Sequence, residues 1–264
     1  MPDAAVPAER PAVLHYTDHG QGSPVVLVHG AGGSGATSWG SLPEHLASEH
    51  RVLLIDNPGS GGSALPEGPL QLDTLADSIA LTAAQAGLER YAVVGYSMGS
   101  AIAVRHAVRH PAEVTALALL TGFARPDARL RLALHNWQQL MDAEPTLLGR
   151  YLLQLSCGPA ALDRLDTSDL DCLARETAAA LPPGTRQHID LALRIDVRAE
   201  LRELSVPTLV IAASNDILVT PDHSTALAQG ITGSRLTQVM SGHDAPTEQP
   251  VAVANHLRSL LLNG

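Results

Sequence analysis

Lysine is absent from this chain: all 17 of its basic residues are arginine. A Schiff-base lysine, a lysine general base and a phosphate-loop lysine are thereby excluded. Cysteine occurs only at Cys157 and Cys172, without metal-ligand spacing and too sparsely for a disulfide framework. Free thiols in a reducing cytoplasm are the expectation. Aromatic residues make up 3%, with Phe123 the single phenylalanine, so a binding site should be walled mainly by aliphatic side chains. Apolar runs stay well short of the ~18 residues that a membrane helix needs. Met1 to Arg10 lacks a basic start followed by an apolar run, so no secretory signal is read there. Basic charge is scarce as well: 27 acidic residues leave a net charge of −10, which argues against nucleic acid or an anionic membrane surface as a partner.

What remains is a chain of 264 residues, 45% hydrophobic, long enough to bury one substantial core. Short apolar runs alternate with helical patterns. Strands are expected at residues 13–17 (an edge), 25–28, 51–56, 91–95, 114–120, 208–213 and 236–240. Helices are expected at 73–86, 98–109 and 251–262. The β-branched, continuous character of Val25 to Val28 is that of a strand buried on both faces. This alternation predicts an α/β fold, a mostly parallel sheet with helices on both faces. From 125 to 200 the rhythm breaks. Four helical patterns follow one another, at 130–141, 146–155, 170–181 and 188–194, with a Pro182-Pro183-Gly184 interruption. The expected organisation is a core of residues 1–124 and 201–264 with residues 125–200 inserted as a helical cap.

Gly95-Tyr96-Ser97-Met98-Gly99 follows a strand and opens a helix, the context of a nucleophile elbow. The glycines permit the sharp turn, and the helix N-terminus supplies positive potential and the free N–H of Met98. A serine nucleophile needs a base, and the base an orienting acid. Asp216 follows one strand and His243 the next, in the order Ser, Asp, His. Asp196, Asp222 and Asp244 compete with Asp216 but sit less favourably. His29-Gly30-Ala31-Gly32-Gly33 follows the first buried strand, and the N–H groups of Ala31 and Met98 are the expected oxyanion donors. His29 is expected to shape that loop.

The same segment, Gly30 to Gly35, also fits G-x-G-x-x-G, with Asp56 at the end of the next strand, as in a dinucleotide-binding fingerprint. A nicotinamide-dependent oxidoreductase is therefore the rival from another class. Against it, Ser38-Trp39-Gly40-Ser41 delays the helix that should begin inside the glycine loop. The cofactor reading also leaves Ser97, Asp216 and His243 unexplained.

These motifs together resemble the α/β-hydrolase superfamily with an inserted cap, over about Val13 to Leu262. Val25 to Trp39 resembles the strand and oxyanion loop, and Asp56 to Ser63 the family's glycine-rich loop, with a departure around Asn57. Val206 to Ile211 with Asp216 and Pro221, and Gly242-His243 with Glu248 and Pro250, are similar to the segments carrying acid and base. Relatives that open epoxides or remove halides carry Asp at the elbow, so Ser97 sets those activities aside. The resemblance implies a serine hydrolase of a small or medium apolar ester or lactone, with no cofactor and no metal. Thioester and carbon–carbon bond hydrolysis use the same constellation, and the latter often adds an Arg; Arg125, Arg129 and Arg131 stand at the start of the cap. A binding protein that keeps the triad is a further alternative. For substrate contact the candidates are His29, Gly30, Tyr96, Trp137 and Met141, the last two on a face shared with Leu130, Leu134 and Leu140.

Overall fold

The computed structural model describes residues 10–262; the segment read above for a secretory signal lies, apart from Arg10, outside the described residues. Seven strands form one sheet: β1 (Tyr16–His19), β2 (Ser23–Val28), β3 (His50–Ile55), β4 (Tyr91–Tyr96), β5 (Val114–Leu120), β6 (Thr208–Ala213) and β7 (Arg235–Val239). Their spatial order is β1-β3-β2-β4-β5-β6-β7. All neighbours run parallel except β1, which pairs antiparallel with β3 from Tyr16 opposite Ile55 to His19 opposite Val52.

The inner strands β2 to β6 are apolar over most of their length because both faces are covered. Successive side chains point to opposite faces. Val25 and Leu27 of β2 face α1 (Leu42–Ala47) and α11 (Pro250–Leu261), packing with Leu42, Leu46, Val253 and Leu257. Val26 and Val28 face the other way, onto α2 (Leu72–Gln85) and α3 (Met98–Arg109), among Leu75, Ile79 and Ile102. At β7 the pattern thins. This strand ends the sheet, and Leu236 and the following Met240 stand exposed.

Between β5 and β6 lie α4 (Ala128–Leu140), α5 (Pro145–Ser156), α6 (Pro159–Leu162), α7 (Thr167–Ala179) and α8 (Thr185–Arg194). Carboxylates start three of them: Asp127, Glu144 and Asp166 accept hydrogen bonds from first-turn N–H groups. The Pro182-Pro183-Gly184 break separates α7 from α8. The two limbs of the insertion are tied at its base by a hydrogen bond from Val197 N–H to the Ala124 carbonyl, 2.9 Å.

Four details differ from the sequence reading. The first strand begins at Tyr16 rather than at 13, because Leu14 N–H is taken by the Thr82 hydroxyl at 2.9 Å and only later residues join the ladder. The helix α9 (Pro221–Gly230) and the short α6 and α10 (Ala245–Glu248) lie outside the expected helices. With only Ala226, Leu227 and Ala228 as an apolar run, α9 shows little periodicity. No helix among the described residues is long and apolar enough to cross a membrane.

Candidate active site

Ser97 sits between β4 and α3 with φ +54° and ψ −122°, a conformation a non-glycine residue adopts only under constraint. The constraint is visible around it. A Cβ on Gly95 would lie 2.6 Å from Ser100 Cα, and one on Gly99 would run into the carbonyl of Val28. The turn therefore closes only with glycine at both positions.

Ser97 Oγ lies 2.9 Å from His243 Nε2, and His243 Nδ1 lies 2.6 Å from Asp216 Oδ2. Nδ1–H donates to the carboxylate, so Nε2 is left to accept the serine proton. The other Asp216 oxygen accepts N–H groups of Leu218 (2.9 Å) and Val219 (2.8 Å), which locks its orientation. Asp216 and His243 are both buried. The strand ends bring these groups together: Asp216 follows β6, and His243 follows β7 in the turn before α10. The competing Asp222 is exposed in the first turn of α9. Asp196 pairs with Arg198 on the surface at 2.7 Å. Asp244 points elsewhere; burial pushes its carboxyl up to about 6. The Tyr96 hydroxyl donates to the His243 carbonyl at 3.2 Å.

The glycine loop abuts this serine. A Cβ on Gly30 would lie 2.8 Å from Ser97 Cβ. The His29 ring is turned away beneath the loop: Nδ1–H donates to the Gly30 carbonyl (2.7 Å), and Nε2 accepts the N–H of Asn57 (2.9 Å). Burial drives its pKa down to about 3, so the ring is neutral. The Asn57 side chain in turn donates to the His29 carbonyl at 3.0 Å. Because a trans peptide is planar with N–H opposite C=O, holding the Gly30 carbonyl constrains the direction of the Ala31 N–H. Asp56, the acid of the dinucleotide reading, is occupied by the N–H groups of Gly35 (2.7 Å) and Gly62 (3.0 Å) and by His15. Helix α1 begins only at Leu42.

A cavity of about 170 Å³ opens over Ser97. Gly30, Ala31, Met98, Tyr96 and His243 form its floor, and Leu130, Leu134, Trp137, Leu152, Leu181 and Ala192 its roof. Two expected contacts are not on this wall. His29 faces Asn57 instead, and Met141 lies beyond the end of α4, packed with the apolar cluster one turn past Trp137. Phe123, Leu218 and Val219 line it without having been singled out by any sequence pattern. Arg125, Arg129 and Arg131 do not reach it. Arg125 lies 3.9 Å from Asp196, and the other two hydrogen-bond the carbonyls of Ile217 (3.3 Å) and Pro126 (2.6 Å).

A sequence profile of the alpha/beta hydrolase fold matches residues 23–158. Pyrrolizixenacetamide deacetylase of Xenorhabdus hominickii is 29% identical over 96% of both chains. RutD of Azorhizobium caulinodans, to which carbamate hydrolysis is ascribed, is 32% identical over 89% of both. Among solved structures, a thermophilic esterase of Thermogutta terrifontis superposes with a TM-score of 0.82 at 27% identity, covering 95% of this chain and 93% of its own.

Proposed function

The chain belongs to the α/β-hydrolase family, and from that premise we propose that it is a serine hydrolase acting on small, uncharged, apolar carboxylic esters or lactones, with residues 125–200 as its cap. The observation that carries the reading is the unbroken run Asp216–His243–Ser97, at 2.6 and 2.9 Å, beside a cavity floored by Ala31 and Met98. Ser97 Oγ attacks the acyl carbon while His243 Nε2 takes its proton. The carbonyl oxygen becomes an oxyanion received by the N–H groups of Ala31 and Met98, each contributing on the order of 3 kcal/mol. The tetrahedral species collapses, and His243 returns the proton to the departing alcohol. Water then attacks the acyl-enzyme through the same base, releasing the carboxylic acid and restoring Ser97. Asp216 holds the imidazole tautomer and stabilises the imidazolium.

The cavity supports the substrate class. A dry aliphatic space of ~150 Å³ accommodates a benzene-sized group, so about 170 Å³ suits an acyl or alkoxy part of similar size. With no arginine on the wall, a substrate carboxylate would have no counter-ion there. That disfavours the carbon–carbon bond hydrolases that use one. The deacetylase and carbamate relatives extend the reading to short amides and carbamates, which the same proton transfers would cleave. The free thiols Cys157 and Cys172 suit a reducing cytoplasm.

The test is intact mass after exposure to a fluorophosphonate, followed by turnover of a chain-length series of chromogenic esters, amides and carbamates. A single adduct, absent from Ser97→Ala, with fastest turnover at short neutral acyl groups, is expected. A chain that takes up no adduct and turns over no member of the series would overturn the reading.

A further inference from the structure

We propose that His188 is a positioning residue for the oxyanion hole: carried by the helical insertion, it anchors the peptide plane that follows Ala31, so that the Ala31 N–H is correctly aimed only when the insertion is seated on the core. The inference rests on the hydrolase reading above. His188 lies on α8, fully buried, 156 residues from the loop it touches. Its Nε2–H donates to the Pro58 carbonyl at 2.8 Å, and its Nδ1 accepts the Gly32 N–H at a long 3.4 Å. Accepting at Nδ1 requires the neutral ring, and burial lowers the pKa of this imidazole accordingly.

The Ala31 N–H belongs to the plane between residues 30 and 31, whose carbonyl His29 holds. The next plane, between 31 and 32, carries the Gly32 N–H that His188 holds. Two neutral imidazoles thus hold the donor's own plane and the next one, either side of the Ala31 Cα. Their rings meet edge to face, 6.1 Å between centroids.

Other contacts press the insertion onto the same place. Gly32 has φ +72°, and a Cβ there would lie 2.6 Å from Trp137 Cζ2, so the indole of α4 lies against the loop. Gly184 N–H donates to the Gly59 carbonyl at 2.9 Å, directly before α8. A shift of the insertion would therefore withdraw the Gly32 anchor and leave the loop held by His29 alone. An apolar side chain in place of His188 would leave the buried Pro58 carbonyl and the partly buried Gly32 N–H without that partner, which favours a rotated loop.

The test separates oxyanion stabilisation from ground-state binding and from folding. Wild type, His188→Leu, His188→Gln and His188→Asn are compared on the best ester of the series above and on an alkylboronic acid, which forms a tetrahedral adduct with an activated serine. His188→Leu should lower kcat by roughly 10- to 100-fold with KM within about threefold, and weaken the boronic acid by a similar factor. His188→Gln, with a donor and an acceptor on a side chain of similar reach, should stay within about threefold of wild type. Arg186→Ala on the same helix, an exposed partner of Asp142, should match wild type.

A His188→Leu enzyme with unchanged kcat would overturn the proposal. So would one whose boronic acid affinity is unchanged, or a His188→Gln enzyme as impaired as His188→Leu. If His188→Leu does not fold, His188→Asn, too short to span both partners, decides on the same two readouts. Wild-type turnover abolished by Ser97→Ala upholds the hydrolase reading independently. A wild type with neither fluorophosphonate adduct nor turnover overturns both.

Discussion

Two buried histidines stand at the same end of the sheet with nearly the same hydrogen-bond lengths. His243 has a 2.6 Å contact at Nδ1 and a 2.9 Å contact at Nε2; His29 has 2.7 and 2.9 Å. Neither burial nor the number of partners distinguishes them. The partners' chemistry does. His243 gives its Nδ1 proton to a carboxylate, which compensates the positive charge when Nε2 gains a proton, and the Nε2 partner is a hydroxyl that can release one. His29 gives its proton to a neutral carbonyl, and its Nε2 is already filled by an amide N–H that cannot be given up. Under the proposed mechanism one site changes protonation state, and the other is held neutral. An imidazole becomes a base through what it faces, and the same residue facing backbone on both sides becomes a bracket.

The largest effect that would break this comparison is the same substitution at both rings. His243→Gln should lower kcat/KM by about 10³-fold or more, while His29→Gln, which can still brace the loop, should cost about tenfold or less. Near-equal losses in steady-state rates would show that the distinction is misplaced. Next in size is the carboxylate. Asp216→Asn should cost on the order of 10²- to 10⁴-fold through the wrong imidazole tautomer. Asp222→Asn, exposed on α9, should remain within about twofold, and the reverse order would reassign the acid.

The third effect is on stability. His29 titrates at about 3 and His106, buried behind the sheet against the Ala76 carbonyl, at about 4, both lowered by burial. Between those values and 6.5 the unfolded chain binds more protons than the folded one, so stability is lost as pH falls. From pH 7 to 5 each costs about 2 kcal/mol. Asp244, raised to about 6, acts oppositely, since the folded state holds its proton as pH falls. Its contribution over the same range is about 1 kcal/mol. The histidines outweigh it, so Tm measured by calorimetry should drop from pH 7 to 5, and a flat or rising Tm would contradict the burial argument. The smallest effect is on specificity. Leu152→Ala should enlarge the roof and shift the preferred acyl chain upward by one or two carbons, a change of several-fold in relative kcat/KM across the ester series.

Legibility in the sequence followed the range of the contacts. The elbow at Ser97, the loop at Gly30 to Gly35 and the strand-end positions of Asp216 and His243 are each written in a few consecutive residues, because a tight turn or a strand end is a local event. The parallel sheet was legible for the same reason, since a strand covered on both faces must be apolar throughout. His188 left no local trace: it is one of 12 histidines, and its partners lie at Gly32 and Pro58. Met141 misled in the opposite direction. Helical spacing places it below Trp137, but the cavity ends at the level of Trp137, and spacing along a helix carries no information about where an empty space stops. Asn57, noted only as a departure from the family's pattern, proves to hold His29 through both its backbone and its side chain.

Gly59 and Gly184 touch backbone to backbone: a Cβ on Gly59 would fall 2.6 Å from Gly184 Cα, and one on Gly184 would fall 2.8 Å from Gly59 Cα. Neither position can drift to alanine while the other stays in place. Descent with changed specificity must therefore carry the loop after β3 along with the helices it supports. In a chimera, residues 57–62 and the five helices form one heritable cassette, and a foreign set of helices grafted without its own loop would arrive without a seat.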